Sequence, residues 1–435
     1  MTGRGPADTP DSRGCLRVPS LRGDMADLVI DADRLFDGTD AEPIADGRLL
    51  VSEGRVEAVG TQEDLDVPAD ADHRSYAGTA IPGLVDAHLH LWGARSMDPF
   101  EWLKRTDTHA AARATTDLRD LLAAGFTTVR DVGSGTGIGP RSAVDEGAIP
   151  GPRVYTSGLA MSQTGGHGDS HFLPHQWVRE EDPRGVSTLA DGPAECRKEA
   201  RKRIREGADL VKIMTTGGVL SEKDHPRQSQ MTDAEISAVV EEANRVDIPV
   251  ASHAQGAPGV KNALRNGVDT IEHGIWLDDE AVDLFHETGA TLVPTLAVMH
   301  RICERGAEHG LPEYGLEKAY EAREAHFESA RKAHEAGVPV ALGTDFLGPD
   351  LLPHGENALE AELFVDEVGM SEREAIHAGT GAAARTVPDD DVGTLEPGNH
   401  ADVVVLNGTP FTDITALRDV ATVFKGGEEV TLLDQ

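Results

Sequence analysis

Two histidines one residue apart, His88 and His90, close the apolar run IPGLVDAHLH. On an extended strand residues i and i+2 share a face, so both imidazoles point the same way and can grip one cation. Further along, Lys212 interrupts the apolar run LVKIMTTGG. A buried ammonium there is costly unless it is paired or neutralised. Other strand-like runs end in Ser252-His253, Glu272-His273-Gly274 and Gly343-Thr344-Asp345. Imidazole nitrogen and carboxylate oxygen are ligand types for Zn²⁺ and similar divalent ions. Read singly, each has a bland explanation: an HxH pair arises by chance, a strand-end His is usually structural, and a strand Lys can sit in a salt bridge. Six such side chains at the same ends of five strand-like runs point instead to a metal site.

The elements that must position them follow one rhythm. Strand-like runs end near His90, Asp131, Ser157, Met214, His253, His273, Thr295 and Asp345. Helical stretches separate them, among them AECRKEARKRIREGA and, after the capping box Thr232-Asp-Ala-Glu235, ISAVVEEANRV. This alternation predicts a (β/α)8 barrel over residues 81–390, with its active site at the C-terminal ends of the strands. Residues 25–80 are short strands and turns, and residues 391–435 return to that texture. Neither piece closes a core alone, so the two predict one small β-sandwich domain built from both chain ends, with the barrel inserted between them. Residues 1–24 hold Gly, Pro and Ser without an apolar run, and read as a disordered tail or a mis-assigned start before Met25. The long gap after the third strand, MSQTGGHGDSHFLPHQW, has the length of a lid or binding loop.

Composition narrows the function further. With 76 acidic and 40 basic residues the chain carries a formal charge of -36, which repels phosphate backbones and excludes a nucleic-acid partner. No apolar run reaches the roughly 18 residues a membrane helix needs. Cys15, Cys196 and Cys303 are scattered, without CxxC spacing, and fit reduced thiols in a cytoplasmic protein. The partner left is a small-molecule substrate, with a homo-oligomer also compatible. Of the basic residues 9 are Lys and 31 Arg, and so acidic and lysine-poor a surface resembles halophilic proteins. In molar salt the Debye length falls to about 3 Å and self-repulsion is suppressed. The melting temperature is therefore expected to rise from dilute buffer to molar KCl; a value indifferent to salt refutes this.

The motifs IPGLVDAHLH, TTVRDVG, GGHGD, VKIMTTGG, ASHAQG, IEHG, VPVALGTD and GNHADVVVLNG together resemble metal-dependent amidohydrolases, in particular the imidazolonepropionase-like and Xaa-Pro dipeptidase-like branch. The resemblance runs from Met25 onward. It implies a first metal on His88, His90 and Asp345, a second on His253 and His273, and a carboxylated Lys212 bridging the two. Two divalent ions, with zinc expected from the ligand types, and CO2 for the lysine are thus the implied cofactors. A hydroxide held between the metals would attack the carbonyl of an amide-type C–N bond, with Asp345 as general base and then acid. The substrate class implied is a dipeptide such as Xaa-Pro, an N-acyl amino acid or similar. The alternatives are a cyclic amide opened as in imidazolones, a mononuclear deaminase on the same barrel, or a barrel that has lost catalysis. By the same resemblance His167, in Gly165-Gly166-His167-Gly168, faces the substrate. His171 and His175 read as structural, while His225, Arg227 and His300 are weaker candidates for the mouth. Near Met231 dipeptidase-like relatives often carry an aromatic residue that helps hold a substrate carboxylate, and Met has no donor for one.

Overall fold

The computed structural model describes residues 28–176, 178 and 187–431; the predicted tail at 1–24 lies outside them. The first four strands are β1 (Leu28–Leu35), β2 (Ile44–Ser52), β3 (Arg55–Thr61) and β4 (Asp72–Pro82). Near the other end run β14 (Val403–Leu406), β15 (Val420–Lys425) and β16 (Glu428–Glu429). All seven share one sheet in the order β16-β15-β14-β4-β1-β2-β3. The two chain ends meet where β14 pairs antiparallel with β4, Val404 opposite Ile81. The alternating apolar residues of these strands converge, Ile30, Leu49, Val403, Val405 and Phe424 forming one buried cluster. Both chain ends contribute to that cluster, and neither supplies all of it.

Between them lie parallel strands flanked by helices, a TIM-barrel-type α/β fold. Strands β5 (Leu84–Leu89), β6 (Phe126–Asp131) and β7 (Arg153–Thr156) form one sheet. Strands β8 (Ala160–Ser162), β9 (Ser187–Leu189), β10 (Val211–Met214), β11 (Val250–Gly256), β12 (Thr270–Trp276) and β13 (Thr291–Val293) form another, in the order β13-β12-β11-β10-β8-β9. The helix Asp233–Asn244 starts where the capping box placed it, the Glu235 carboxylate accepting the Thr232 N–H at 2.6 Å and its hydroxyl at 2.8 Å.

Side-chain alternation along the inner strands sets up the site. On β10, Val211 and Ile213 pack against Ile236 and Val239 of that helix. Lys212 and Met214 turn the other way, into a cavity. On β11 the same alternation sends Val250 and Ala254 outward and His253 and Gln255 inward.

Two strand expectations differ in detail. The third arrives as two pieces, β7 bonded to β6 and β8 bonded to β10, and β8 takes β9 as a further neighbour. The eighth, VPVALGTD, is not a regular strand. Val340 bridges Leu292 and Phe346 bridges Leu89, while the N–H groups of Thr344 and Asp345 both donate to the His88 carbonyl, at 3.0 and 2.6 Å. Two donors on one acceptor, with Asp345 at φ 58°, break the ladder where its carboxylate must turn toward His88. Gly343 permits the approach, since a Cβ there would lie 2.9 Å from the His88 backbone nitrogen.

Candidate metal centre

The six side chains singled out as ligands, His88, His90, Lys212, His253, His273 and Asp345, all line one cavity of about 440 Å³, and so does His167. The imidazoles stand in a row. From His90 to His88, His273, His253 and His167 the successive ring centroids are 5.5, 5.2, 4.5 and 4.2 Å apart. Asp345 closes the row at one end, its Oδ1 lying 3.0 Å from His90 Nε2 and 3.4 Å from His88 Nε2. Ligand atoms of His88, His273 and Asp345 come within 4.8 Å of one another, a spacing one cation can span.

Each of the four proposed ligand imidazoles has one nitrogen engaged by the protein. His88 Nδ1 is 2.6 Å from Glu272 Oε2, His90 Nδ1 3.2 Å from the Gly133 carbonyl, His253 Nε2 3.2 Å from the Gly217 carbonyl and His273 Nδ1 2.7 Å from Thr295 Oγ1. The second nitrogen is left for the cavity, the arrangement that fixes tautomer and ring angle in metal-ligating histidines. Burial holds His253 and His273 well below the usual imidazole range, hence neutral and able to donate a lone pair. Burial pushes the Asp345 carboxyl up, but His88 and His90 outweigh it and keep the group well below the ordinary range, an anion. Lys212 is 3% exposed, and burial brings its amine down to about 8 against the opposing pull of Glu272 and Asp345. Among the described residues no carboxylate lies within salt-bridge distance of it, so the bland reading of a paired lysine is not what the structure contains. A neutral-imidazole, carboxylate and low-pKa amine set fits divalent cations.

Backbone strain marks the same place. Among the described residues seven non-glycines have positive φ, and His273 at 78°, Thr295 at 57° and Asp345 at 58° are three of them. On a regular strand Glu272 and His273 would face opposite sides. The left-handed turn at His273 brings both inward, Glu272 toward His88 and His273 into the cavity.

Sequence reasoning missed the supports. Arg130 of the TTVRD run is fully buried, donates from Nη2 to Glu272 Oε1 at 2.8 Å, and touches Thr270 Oγ1 at 3.1 Å. A buried charged chain Arg130–Glu272–His88 thus holds the first histidine from behind. The signal available was a charged residue at the end of an otherwise apolar strand, the one already used for Lys212. Because Arg130 and Glu272 are both 0% exposed, Arg130→Ala would strand a buried carboxylate and is expected to cost about 3–5 kcal/mol of stability. Denaturant titration measures it, and a loss below about 1 kcal/mol would contradict the pairing.

The remaining candidates divide. His167 stacks on His253 at 22° and sets Nδ1 2.9 Å from Ser221 Oγ. Gly218, the last residue of VKIMTTGG, makes room for it, since a Cβ there would lie 2.0 Å from the imidazole. His171, read as structural, lines the cavity, whereas His175 does not. The weaker mouth candidates His225, Arg227 and His300 are absent from the lining: Arg227 sits 4.4 Å from the Trp276 ring centroid, and His225 and His300 face Glu321 and Glu304 at 3.7 and 3.0 Å. Met231 is 5% exposed within the hydrophobic cluster outside β10, away from the cavity. A second group with metal-like spacing, Asp389, Asp391 and His400, already has its carboxylates engaged, by the Tyr155 hydroxyl and Arg55.

Known proteins resemble this chain over most of its length. Ochratoxinase of Aspergillus niger is 33% identical over 421 residues, 92% of this chain and 86% of that protein. Imidazolonepropionase of Streptomyces griseus is 26% identical over 447 residues, covering 93% and 98% of the two chains. A crystal structure of a Xaa-Pro dipeptidase with methionine bound in its active site superposes with a TM-score of 0.85 at 32% identity, over 93% of this chain and all, 100%, of the other. The pattern described as the Amidohydrolase family matches residues 79–430, and this chain belongs to that family.

Proposed function

We propose that the protein is a binuclear metal-dependent hydrolase of an amide-type C–N bond in a small molecule. The observation that carries the reading is the convergence of six ligand-type side chains on one cavity, with each of the four ligand imidazoles oriented by a protein group on its far nitrogen. His88, His90 and Asp345 would hold one ion, His253 and His273 the other, and a carboxylated Lys212 both. When bound, the ions would supply a water acidic enough to attack at neutral pH and would polarise the scissile carbonyl.

The chain's own groups do the rest. Asp345 has Oδ1 toward the two imidazoles, which leaves Oδ2 to accept the proton of the attacking water and return it to the departing amine nitrogen. Arg130 and Glu272 keep His88 from rotating, and Thr295 does the same for His273. Glu272 is fully buried between Arg130 and His88 and lies outside the cavity lining, which disfavours a mononuclear deaminase using it as acid–base. The same reading takes residues 81–390 as a closed barrel, and 25–80 with 391–435 as a small sandwich domain. Backbone bonds from the Val340–Phe346 segment to β13 on one side and β5 on the other support closure.

The test is reconstitution of chelator-stripped protein with Zn²⁺ or Mn²⁺ and bicarbonate in molar KCl, followed by an amide-hydrolysis screen and metal analysis. Two ions per chain with metal-dependent release of amine is the expected result. Fewer than one ion per chain, or hydrolysis untouched by stripping, would count against it.

A further inference from the structure

We propose that the preferred substrate is a bulky apolar amide without a carboxylate group, so that this site selects against dipeptides and N-acyl amino acids. The proposal rests on the amide-hydrolase reading and names the substrate class for the same cavity.

The walls are apolar and partly aromatic. Beyond His90, Trp92 stands 5.0 Å away by ring centroids, and Trp102 edges onto Trp92 at 5.0 Å and 62°. Phe172, 40% exposed, continues that wall toward solvent, while Met299, Ile302 and Leu311 line the cavity elsewhere. The chain is only 4% aromatic and has four tryptophans, yet two of them are spent here. Aromatic rings recognise large flat apolar groups.

The charge pattern is one-sided. Among the described lining residues the one Lys or Arg is Lys212, and it lies on β10 among the proposed ligands. Asp98, Asp169 and Glu222 supply carboxylates to the same cavity. Cations nearby are held on backbone carbonyls. Arg105 Nη1 donates to Trp92 and Gly93 at 2.8 and 2.6 Å. Lys318 Nζ donates to Gly218, Ser221 and Asp224 at 3.3, 2.5 and 2.6 Å, and Lys223 Nζ to His171 at 3.0 Å. A substrate carboxylate entering this cavity away from the ion-binding end would shed water, meet no Lys or Arg among the described lining residues and face three like charges. In dilute salt the net charge of -36 adds a repulsive field outside the mouth.

A matched pair tests this: N-benzoylphenethylamine against N-benzoylphenylalanine, the same amide bond with and without one carboxylate. Water adds across the C–N bond of either, giving benzoate and the free amine. With metal-loaded enzyme kcat/KM is expected to be at least about tenfold higher for the uncharged compound. Glu222→Arg, at an exposed position, is expected to narrow that ratio severalfold by exchanging a rim anion for a cation. Tryptophan fluorescence, through Trp92 and Trp102, gives Kd for both compounds independently of turnover. If neither is cleaved but the uncharged one binds at least about tenfold tighter, the hydrolase reading fails and the selectivity stands. Equal or better use of the acid, equal or tighter binding of it, or binding of neither, overturns the proposal.

Discussion

Lys212→Ala is expected to lower kcat/KM about 10³-fold, the scale of losing a preorganised charge-stabilising group, and to cut bound metal from the proposed two ions per chain to at most one. The lysine stands inward on β10 between outward-facing Val211 and Ile213, so alanine removes a functional amine without opening the outer core. Its amine is buried, lacks a salt-bridge partner among the described residues, and is brought by burial to about 8. Under the proposed function those conditions would let the neutral amine react with CO2. The carbamate anion formed would then have two cations to face. Atomic absorption and amine release read the two effects separately. Unchanged metal content with unchanged rate would leave Lys212 as packing only.

Asp345→Asn is expected to lower kcat by roughly 10²–10⁴-fold, with KM and melting temperature nearly unmoved. The amide keeps the shape and the contact to the imidazoles but cannot accept a proton. The strained backbone at φ 58° is retained, because asparagine tolerates left-handed conformations as well as aspartate does. A loss seen in KM rather than kcat would make the residue a binding group. A rate within about tenfold of the parent would remove it from the proton path.

Why some of this was legible from residue types, and some not, has physical reasons. That His88, His90, Lys212, His253 and His273 would face one cavity was legible because a polar group at the end of an apolar β-run has few cheap explanations. The parallel strands followed from the alternation of apolar runs and amphipathic stretches, down to the capping box at Thr232. Strand order within the end-built sheet was not readable, because pairing β4 with β14 depends on contacts across the whole inserted region. Nor was the splitting of the third strand, since β8 is three residues long and carries no periodicity to count. Arg130 and Glu272 stand within the motifs TTVRDVG and IEHG, yet their partnership is a long-range contact 142 residues apart in sequence. Met231 stands near the position where dipeptidase-like relatives often carry an aromatic residue that helps hold a substrate carboxylate. The chain instead turns at φ 55° and buries the side chain outside the barrel strands.

The joining of both chain ends in one sheet has a consequence for how the molecule is made. The Thr79 hydroxyl bonds the Gly408 carbonyl, a contact 329 residues apart in sequence. During synthesis β4 must therefore wait, one edge unpaired, until the intervening barrel segments and β14 have left the ribosome. So large a separation slows maturation and leaves an exposed template for wrong partners in the interval. Chaperone supply and translation rate are thus expected to govern the yield of active protein more strongly than the stability of the finished molecule does.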